Sequence, residues 1–279
     1  MAALAPLRID GPLPTAPDYG LVTTPGLIVD PGDDHALLGV RVDSYPDELP
    51  SQHDPCSEGT SREKDIGDDP PNPEFASFTV YLPVTCSGIG IGNEEGAERL
   101  RGRVLQAFQA VEGFGVEEEF SQATANSDKP YLADGQGTAV HTAVGPREGL
   151  SVLEQAIGLT AREGVVHLDP ATFVAMDAYG LFHDDGDRKM TNRGNLVIIG
   201  NGYIGAQPGG AALAGTDNAY AFATGPVRLV RSEPVVHGPT REALDRDTNL
   251  ITFRAERHYV AYWDTALQFA QRVDRSLSP

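Results

Sequence analysis

Thirteen of the 21 prolines fall within the first 83 residues, and no other feature limits this chain so strongly. Proline locks φ and removes a backbone donor, so it stops helices and is confined to turns and sheet edges. Pro6, Pro12, Pro14, Pro17, Pro25 and Pro31 punctuate an opening segment without amphipathic periodicity, which reads as an extended arm over residues 1–30. From Pro46 to Pro73 the chain is polar and kinked, with Asp65-Ile66-Gly67-Asp68-Asp69-Pro70-Pro71 inside it. That stretch reads as a long protruding loop flanked by strands. The clearer flank is Phe75 to Leu82, rich in β-branched and aromatic residues and ending before Pro83. A structureless loop of this length is uncommon inside a compact domain and points to a function or to a partner that holds it.

The charge is as uneven as the prolines. Residues 1–74 carry 15 acids and four bases, a net of −11 out of −19 for all 279 residues, whereas residues 241–279 balance at six and six. An acidic chain repels phosphate, so a general grip on nucleic acid is not expected. The 40% hydrophobic content suffices for one large domain or two small ones. The sequence has no apolar run of the ~18 residues a membrane span needs, and no basic region followed by an apolar stretch opens it, so a soluble, unexported chain is expected. Cys56 and Cys86 are too few for a disulfide scaffold or a zinc site; they read as reduced spectators, or as a pair if their segments meet. Arginine outnumbers lysine 18 to three, a skew that suggests a GC-rich coding genome.

Helices and strands follow the proline-rich part. Asn93 is placed to cap a helix whose first turns carry Glu94, Glu95 and Glu98, and Leu100, Val104, Leu105, Phe108 and Val111 make one apolar stripe. Gly113 and Gly115 predict a bend or break, after which Val116 to Gln122 resumes the helix, and Glu117-Glu118-Glu119 reads as a solvated charged face. Asn126 to Pro146 reads as a loop. Leu150, Leu153, Ile157 and Ala161 predict a second helix, Val165 to Leu168 a strand, and Asp169-Pro170 the cap and first position of a third helix facing Phe173 and Met176 inward. Strands are predicted at Leu196 to Ile199, at Ala219 to Val230 and at Leu250 to Trp263, with Asp245 to Asn249 as a hairpin turn before the last. The fold class is α+β.

Several motifs invite chemistry. Gly200-Asn201-Gly202-Tyr203-Ile204-Gly205 satisfies the dinucleotide-binding glycine pattern after a strand. However, Pro208, Gly209 and Gly210 follow where a helix must start, and Tyr220 to Phe222 stand where an acidic residue is required, so a glycine-rich loop is the expectation. Gly88 to Gly92 lacks the Lys-Ser/Thr of a phosphate loop. Asp184, Asp185 and Asp187 miss calcium-loop spacing and read as a polar turn. His167 and Asp169 share the end of a strand without a nucleophile elbow, so His167 reads as a packed residue. No catalytic, cofactor or metal residue is assigned.

The order of parts nevertheless resembles the Hong Kong 97-type major capsid family of tailed phages, a fold shared with encapsulin shells. The similarity rests on Glu112 to Gln122 followed by Asp128 to Ala133 as the end of a spine helix, and on Leu150 to Pro170 as the helix, strand and turn opening an axial domain. Val227 to Val236 and Leu250 to Phe269 look like the return to a peripheral domain. Ala223 to Val227 and Thr252 to Arg257 are similar to segments of actinobacterial phage virion proteins. The resemblance implies a Hong Kong 97-like α+β fold in five parts: N-terminal arm 1–30, extended-loop region 31–92, spine helix and peripheral domain 93–164, axial domain 165–240, and return strands 241–279. It further implies a non-enzymatic major capsid protein, assembled in the host cytoplasm and carried in the virion. Its partners would be copies of itself in hexamers and pentamers, together with portal, scaffold or decoration proteins, around DNA bound without sequence specificity and with no membrane. A cross-link of the kind known in the family would join Lys64 to Asn195 or Asn249, although Lys64 sits in a Glu-Lys-Asp run that ion pairing explains more simply. The other readings are a minor head, connector or tail protein, an encapsulin-like shell, and a soluble nucleotide-binding enzyme using the Gly200–Gly205 loop.

Overall fold

Alternating side chains make the closing segment one 14-residue strand, β13 (Leu250–Trp263), with Ile251, Phe253, Ala255, Arg257 and Tyr259 turned inward. The computed structural model describes residues 12, 14–29, 34–43, 72–87, 94–124, 130–210, 213, 215–238, 244–245 and 250–277. β3 (Phe78–Ser87) runs antiparallel along one side of β13, from Tyr259 opposite Phe78 to Leu250 opposite Ser87. Along the other side lie β12 (Leu244–Asp245), β11 (Val235–His237) and β10 (Val227–Arg231) in succession. The expected strand at 75–82 is split into β2 (Glu74–Ala76) and β3, and β3 continues through Pro83. Among the described residues β3 pairs only with β13, and an edge strand tolerates proline.

β1 (Gly39–Arg41) pairs antiparallel with β2, Gly39 opposite Ala76, and Arg41 is ion-paired with Glu74 across them. The stretch expected to protrude is flanked by strands as predicted, and the two pair into a two-stranded ladder. Residues 44–71, with Cys56 and Lys64, lie outside the described residues, as do Asn93, Asp128, Lys129 and Asn249.

A second sheet has seven strands in the order β4 (Thr138–Val144), β14 (Gln268–Asp274), β9 (Asn218–Thr224), β5 (Val165–Leu168), β8 (Leu196–Ile199), β7 (Arg188–Thr191), β6 (Phe182–Asp185). The run expected as one strand over 219–230 is thus two strands in different sheets, separated at Gly225-Pro226. There the chain passes so close to the β13–β14 connection that a Cβ on Gly225 would meet the Asp264 carbonyl at 2.7 Å. β4 lies in what reads as loop: its Thr and Ala residues carry little pattern, and its parallel pairing with β14 makes it a strand. The polar turn after His183 is the β6–β7 hairpin. Because β4, β5 to β9 and β14 share one sheet, the boundaries expected at residues 164 and 240 both separate strands of a single layer.

Helices α2 (Pro146–Leu159) and α3 (Pro170–Asp177) cover one face of this sheet, burying Leu150, Leu153, Ile157 and Met176 against Val166, Val197, Ala221 and Val273. Ala161 does not extend α2: it lies beyond the helix end with φ 54° and is exposed. Asp169 caps α3 as predicted, accepting from the amides of Ala171 and Thr172.

The long helix α1 (Glu94–Gln122) spans 29 residues without interruption, about 44 Å at 1.5 Å per residue. The expected break at Gly113 and Gly115 is absent. At Gly115 the missing side chain admits β3, since a Cβ there would stand 2.7 Å from Val80 Cγ1. The first half of α1 packs Val104 and Phe108 on Phe253 and Ala255 of the long-strand sheet. Its second half wedges Val116 and Phe120 between the two sheets, where Trp263 lies edge-on to both Phe75 and Phe120 at 4.8 and 5.0 Å.

Over its described residues the opening segment departs from its extended reading, while residues 1–11 lie outside the described residues. Residues 18–27 form successive turns with Leu21 and Leu27 buried in the core, and the Leu27 carbonyl and Val29 amide pair with Leu229 of β10. Leu21 and Leu27 supply apolar side chains between the prolines, and a compact path buries both.

Candidate functional site

Three features met in the sequence converge on the second half of α1: the Glu117–Glu119 run, the Gly200–Gly205 loop and the opening segment. Positions four apart share a helix face, and Val104, Phe108, Glu112, Val116 and Phe120 form the buried face of α1. An acid stands in the middle of it. Glu112 is 4% exposed and accepts from Arg257 Nη1 at 2.9 and 3.0 Å and from the Tyr259 hydroxyl at 2.5 Å. Burial, reinforced by Glu112, holds the Tyr259 hydroxyl above the ordinary phenol range.

Glu117 is buried as deeply, and backbone amides are its partners. Oε1 accepts from the Leu21 amide and Oε2 from the Gly202 amide, each at 3.1 Å, and the Asn201 amide donates as well. Burial raises the carboxyl from 4.5 to about 7 against the pull of those three donors. Glu119 is 2% exposed and accepts from the Thr124 hydroxyl at 2.9 Å. The solvated reading of the run is therefore corrected for Glu117 and Glu119, while Glu118 remains half-buried. Stepping the stripe forward by four from Phe108 reaches Glu112, a signal present in the sequence. No such signal marks Glu117, whose partners lie 96 and 85 positions away.

The glycine loop is built to meet this helix. A Cβ on Gly202 would stand 2.3 Å from the Glu118 amide nitrogen and 2.6 Å from the Phe114 carbonyl, and one on Gly200 would strike Tyr203 and Glu117. Residues Asn201–Tyr203 form a 3-10 turn, and the amides of Asn201 and Gly202 already point at a carboxylate. A pyrophosphate on this loop would have to displace Glu117, and no α-helix starts here to receive it.

His167 and Asp169 are not joined into an acid–base pair. His167 is fully buried in β5, with Nδ1 3.1 Å from the Tyr203 hydroxyl and Nε2 2.9 Å from Thr224 Oγ1. Thr224 donates to the Gly225 carbonyl, which makes Nε2 the donor to Thr224 and Nδ1 the acceptor from Tyr203. Burial lowers the imidazole from 6.5 to about 3, so it is neutral. Asp169 is committed to its cap, to the Thr172 hydroxyl and to Arg275 Nη1 at 3.2 Å.

Asp184 pairs with Lys189 at 2.5 Å and with the Tyr19 hydroxyl at 3.1 Å, and Asp185 and Asp187 are exposed. Among the described residues no group of three or more His, Cys, Asp or Glu is arranged to hold a metal. Asn195, named above as a cross-link acceptor, is buried, donating to Glu154 Oε2 at 2.7 Å and accepting from the Gly164 amide. Beside Glu117 a cleft of about 680 Å³ opens between β3, α1 and residues 15–23, with Tyr81, Val111 and Phe114 exposed at it.

No family model matches the sequence, and no curated protein matches it. Solved structures do match. Over 98% of this chain and 95% of the other, the structure superposes on a chain from the capsid of an empty GTA particle, with a TM-score of 0.53 at 14% identity. A chain from Mycobacterium phage Che8 matches with a TM-score of 0.50 at 13% identity, covering 99% and 98% of the two chains. One from Microbacterium phage Oxtober96 matches at 0.50 and 12%, covering 95% and 90%. The fold is α+β and Hong Kong 97-like over nearly the whole length. Among the described residues no helix is long and apolar enough to cross a membrane.

Proposed function

We propose that this chain, with its Hong Kong 97-like fold, is the major capsid subunit of a tailed phage and assembles with copies of itself into a closed shell. One observation carries the reading: the correspondence with a chain of a GTA particle capsid runs through 98% of this chain, so that no large part is left over for another task. On this reading the seven-stranded sheet with α2 and α3 is the axial domain. The long-strand sheet with the first half of α1 is the peripheral domain, and α1 is the spine joining them. The loop region between β1 and β2 and residues preceding the core-bound turns then reach neighbouring subunits, in interfaces of the ~2,000 Å² class or larger. The partners are hexamers and pentamers of the same chain in the virion, with portal, scaffold or decoration proteins added. A net charge of −19 keeps enclosed DNA from adhering to the wall.

Light scattering on size-fractionated protein, with electron microscopy of the same fractions, tests this. Closed shells or capsomers are the expected result. Small rings of fixed copy number would point instead to a connector, and a monomer at every concentration would overturn assembly altogether.

A further inference from the structure

We propose that Asn201-Gly202 is a latent modification site, whose asparagine loses ammonia and becomes aspartyl or isoaspartyl when the glycine loop leaves α1, and which α1 keeps intact while the loop is seated. The proposal does not depend on shell formation.

This is the only Asn-Gly pair in the sequence. In such a pair the glycine amide nitrogen, unhindered by a Cβ, gives its proton to hydroxide and attacks the asparagine Cγ. A C–N bond forms and closes a five-membered succinimide ring. The side-chain nitrogen takes up a proton and leaves as ammonia. Water then opens the ring at either carbonyl, giving aspartate or its isomer with a longer backbone. Nothing beyond water and hydroxide is needed.

The packing that demands glycine at 202 creates the reactive pair and also restrains it. A Cβ there would stand 2.3 Å from the Glu118 amide nitrogen, so no other residue fits against α1. Three α1 side chains hold the Gly202 peptide. Glu117 Oε2 accepts from its amide at 3.1 Å, and its carbonyl accepts from Ser121 Oγ at 3.0 Å and from Gln122 Nε2 at 3.3 Å. The attacking N–H is thus already donated, and to an acid whose charge disfavours the amide anion that attack requires. Asn201 is fixed too: its amide donates to Glu117 and its carbonyl accepts from the Ile204 amide at 3.4 Å. In a 3-10 turn ψ stays at about −25°, and ring closure requires the Gly202 peptide to rotate out of that range. Its side chain meanwhile lines the cleft beside Glu117, so water is at hand once the loop opens.

Conversion is one-way. An isoaspartyl link adds a methylene to the backbone and a carboxylate beside Glu117, in a loop too close to α1 for even a Cβ at 202. A converted loop cannot reseat, so the site records each opening that leads to reaction.

Peptide mass spectrometry with isoaspartate detection, on the full chain aged at mildly alkaline pH, tests this. The folded chain should convert at Asn201 at least about 100-fold more slowly than the urea-unfolded chain, because only locally opened molecules react. Equal rates overturn the restraint, and an unfolded chain that does not convert overturns the site. Glu117→Ala, shown to be folded by protection of the β5 amides, should convert about 10- to 100-fold faster than the wild type. An unchanged or slower rate overturns the proposal, the latter by making Glu117 a base for the reaction. Should that variant fail to fold, Ser121→Ala removes one donor from the Gly202 carbonyl and should convert several-fold faster; no change there overturns the restraint.

Discussion

Arg257 Nη1 reaches across from the long strand β13 to both carboxylate oxygens of Glu112 on α1, at 2.9 and 3.0 Å, with both side chains about 5% exposed. The pair is 145 positions apart and fastens the spine helix to the central strand of its sheet. Removing one partner of such a pair strands the other charge in the core. Arg257→Ala should therefore cost about 3–5 kcal/mol. Replacing both, as Glu112→Leu with Arg257→Met, removes both buried charges and should cost clearly less than the single change. Urea denaturation of dissociated subunits compares the two.

Two glycines should respond to alanine in opposite directions. Gly102 lies within α1 with nothing within 4 Å of an added Cβ, so Gly102→Ala should stabilise by about 0.5–1 kcal/mol through helix propensity. Gly202→Ala would drive a methyl into the backbone of Glu118 and Phe114, which cannot move aside. It should destabilise by about 1–3 kcal/mol and undock the loop. Thermal melts of both variants check the contrast.

Leu21 decides whether the opening segment serves its own subunit. It is fully buried in the main core cluster, so Leu21→Ala should lower the stability of the isolated subunit by about 2–5 kcal/mol. If the segment acted only between neighbours, denaturation of dissociated subunits would show no change.

Two buried titrating groups give opposing pH dependences. His167 titrates at about 3 when folded and 6.5 when free, so in that window the unfolded chain binds more protons and stability falls as pH drops. Glu117 titrates at about 7 when folded and 4.5 when free, so the folded chain binds more protons and stability rises as pH drops. Each slope is about 1.4 kcal/mol per pH unit, and between about pH 5 and pH 6.5 they largely cancel. His167→Gln should therefore become more stable on acidification across that range, and Glu117→Gln less stable. Unfolding free energies measured at several pH values separate the two.

Much of the fold was legible because it depends on near neighbours. The strand at 250–263 and the Asp169-Pro170 cap both survive intact, and strands flank residues 44–71 as expected. The continuity of α1 was misread, because Gly113 and Gly115 look like breakers in isolation, whereas packing against β3 holds the helix through them. The 219–230 run was misread for a similar reason: nothing local says that its two halves join different sheets.

The sequence by itself determined the local grammar of this protein: where prolines forbid helices, which faces are apolar, which residues cap and turn. Those features follow from backbone geometry and from side chains within a few positions. Only the tertiary structure decided what became of its charged and glycine-rich positions. Glu117 and Glu119 read as solvent-facing acids, whereas both are buried, Glu117 under a loop and an opening segment that arrive from far along the chain. The context of the Gly200–Gly205 loop already speaks against an anion site, but only the structure shows its amides turned to the Glu117 carboxylate. Burial and hydrogen-bond partnership are properties of assembled surfaces, and periodicity along one segment does not carry them.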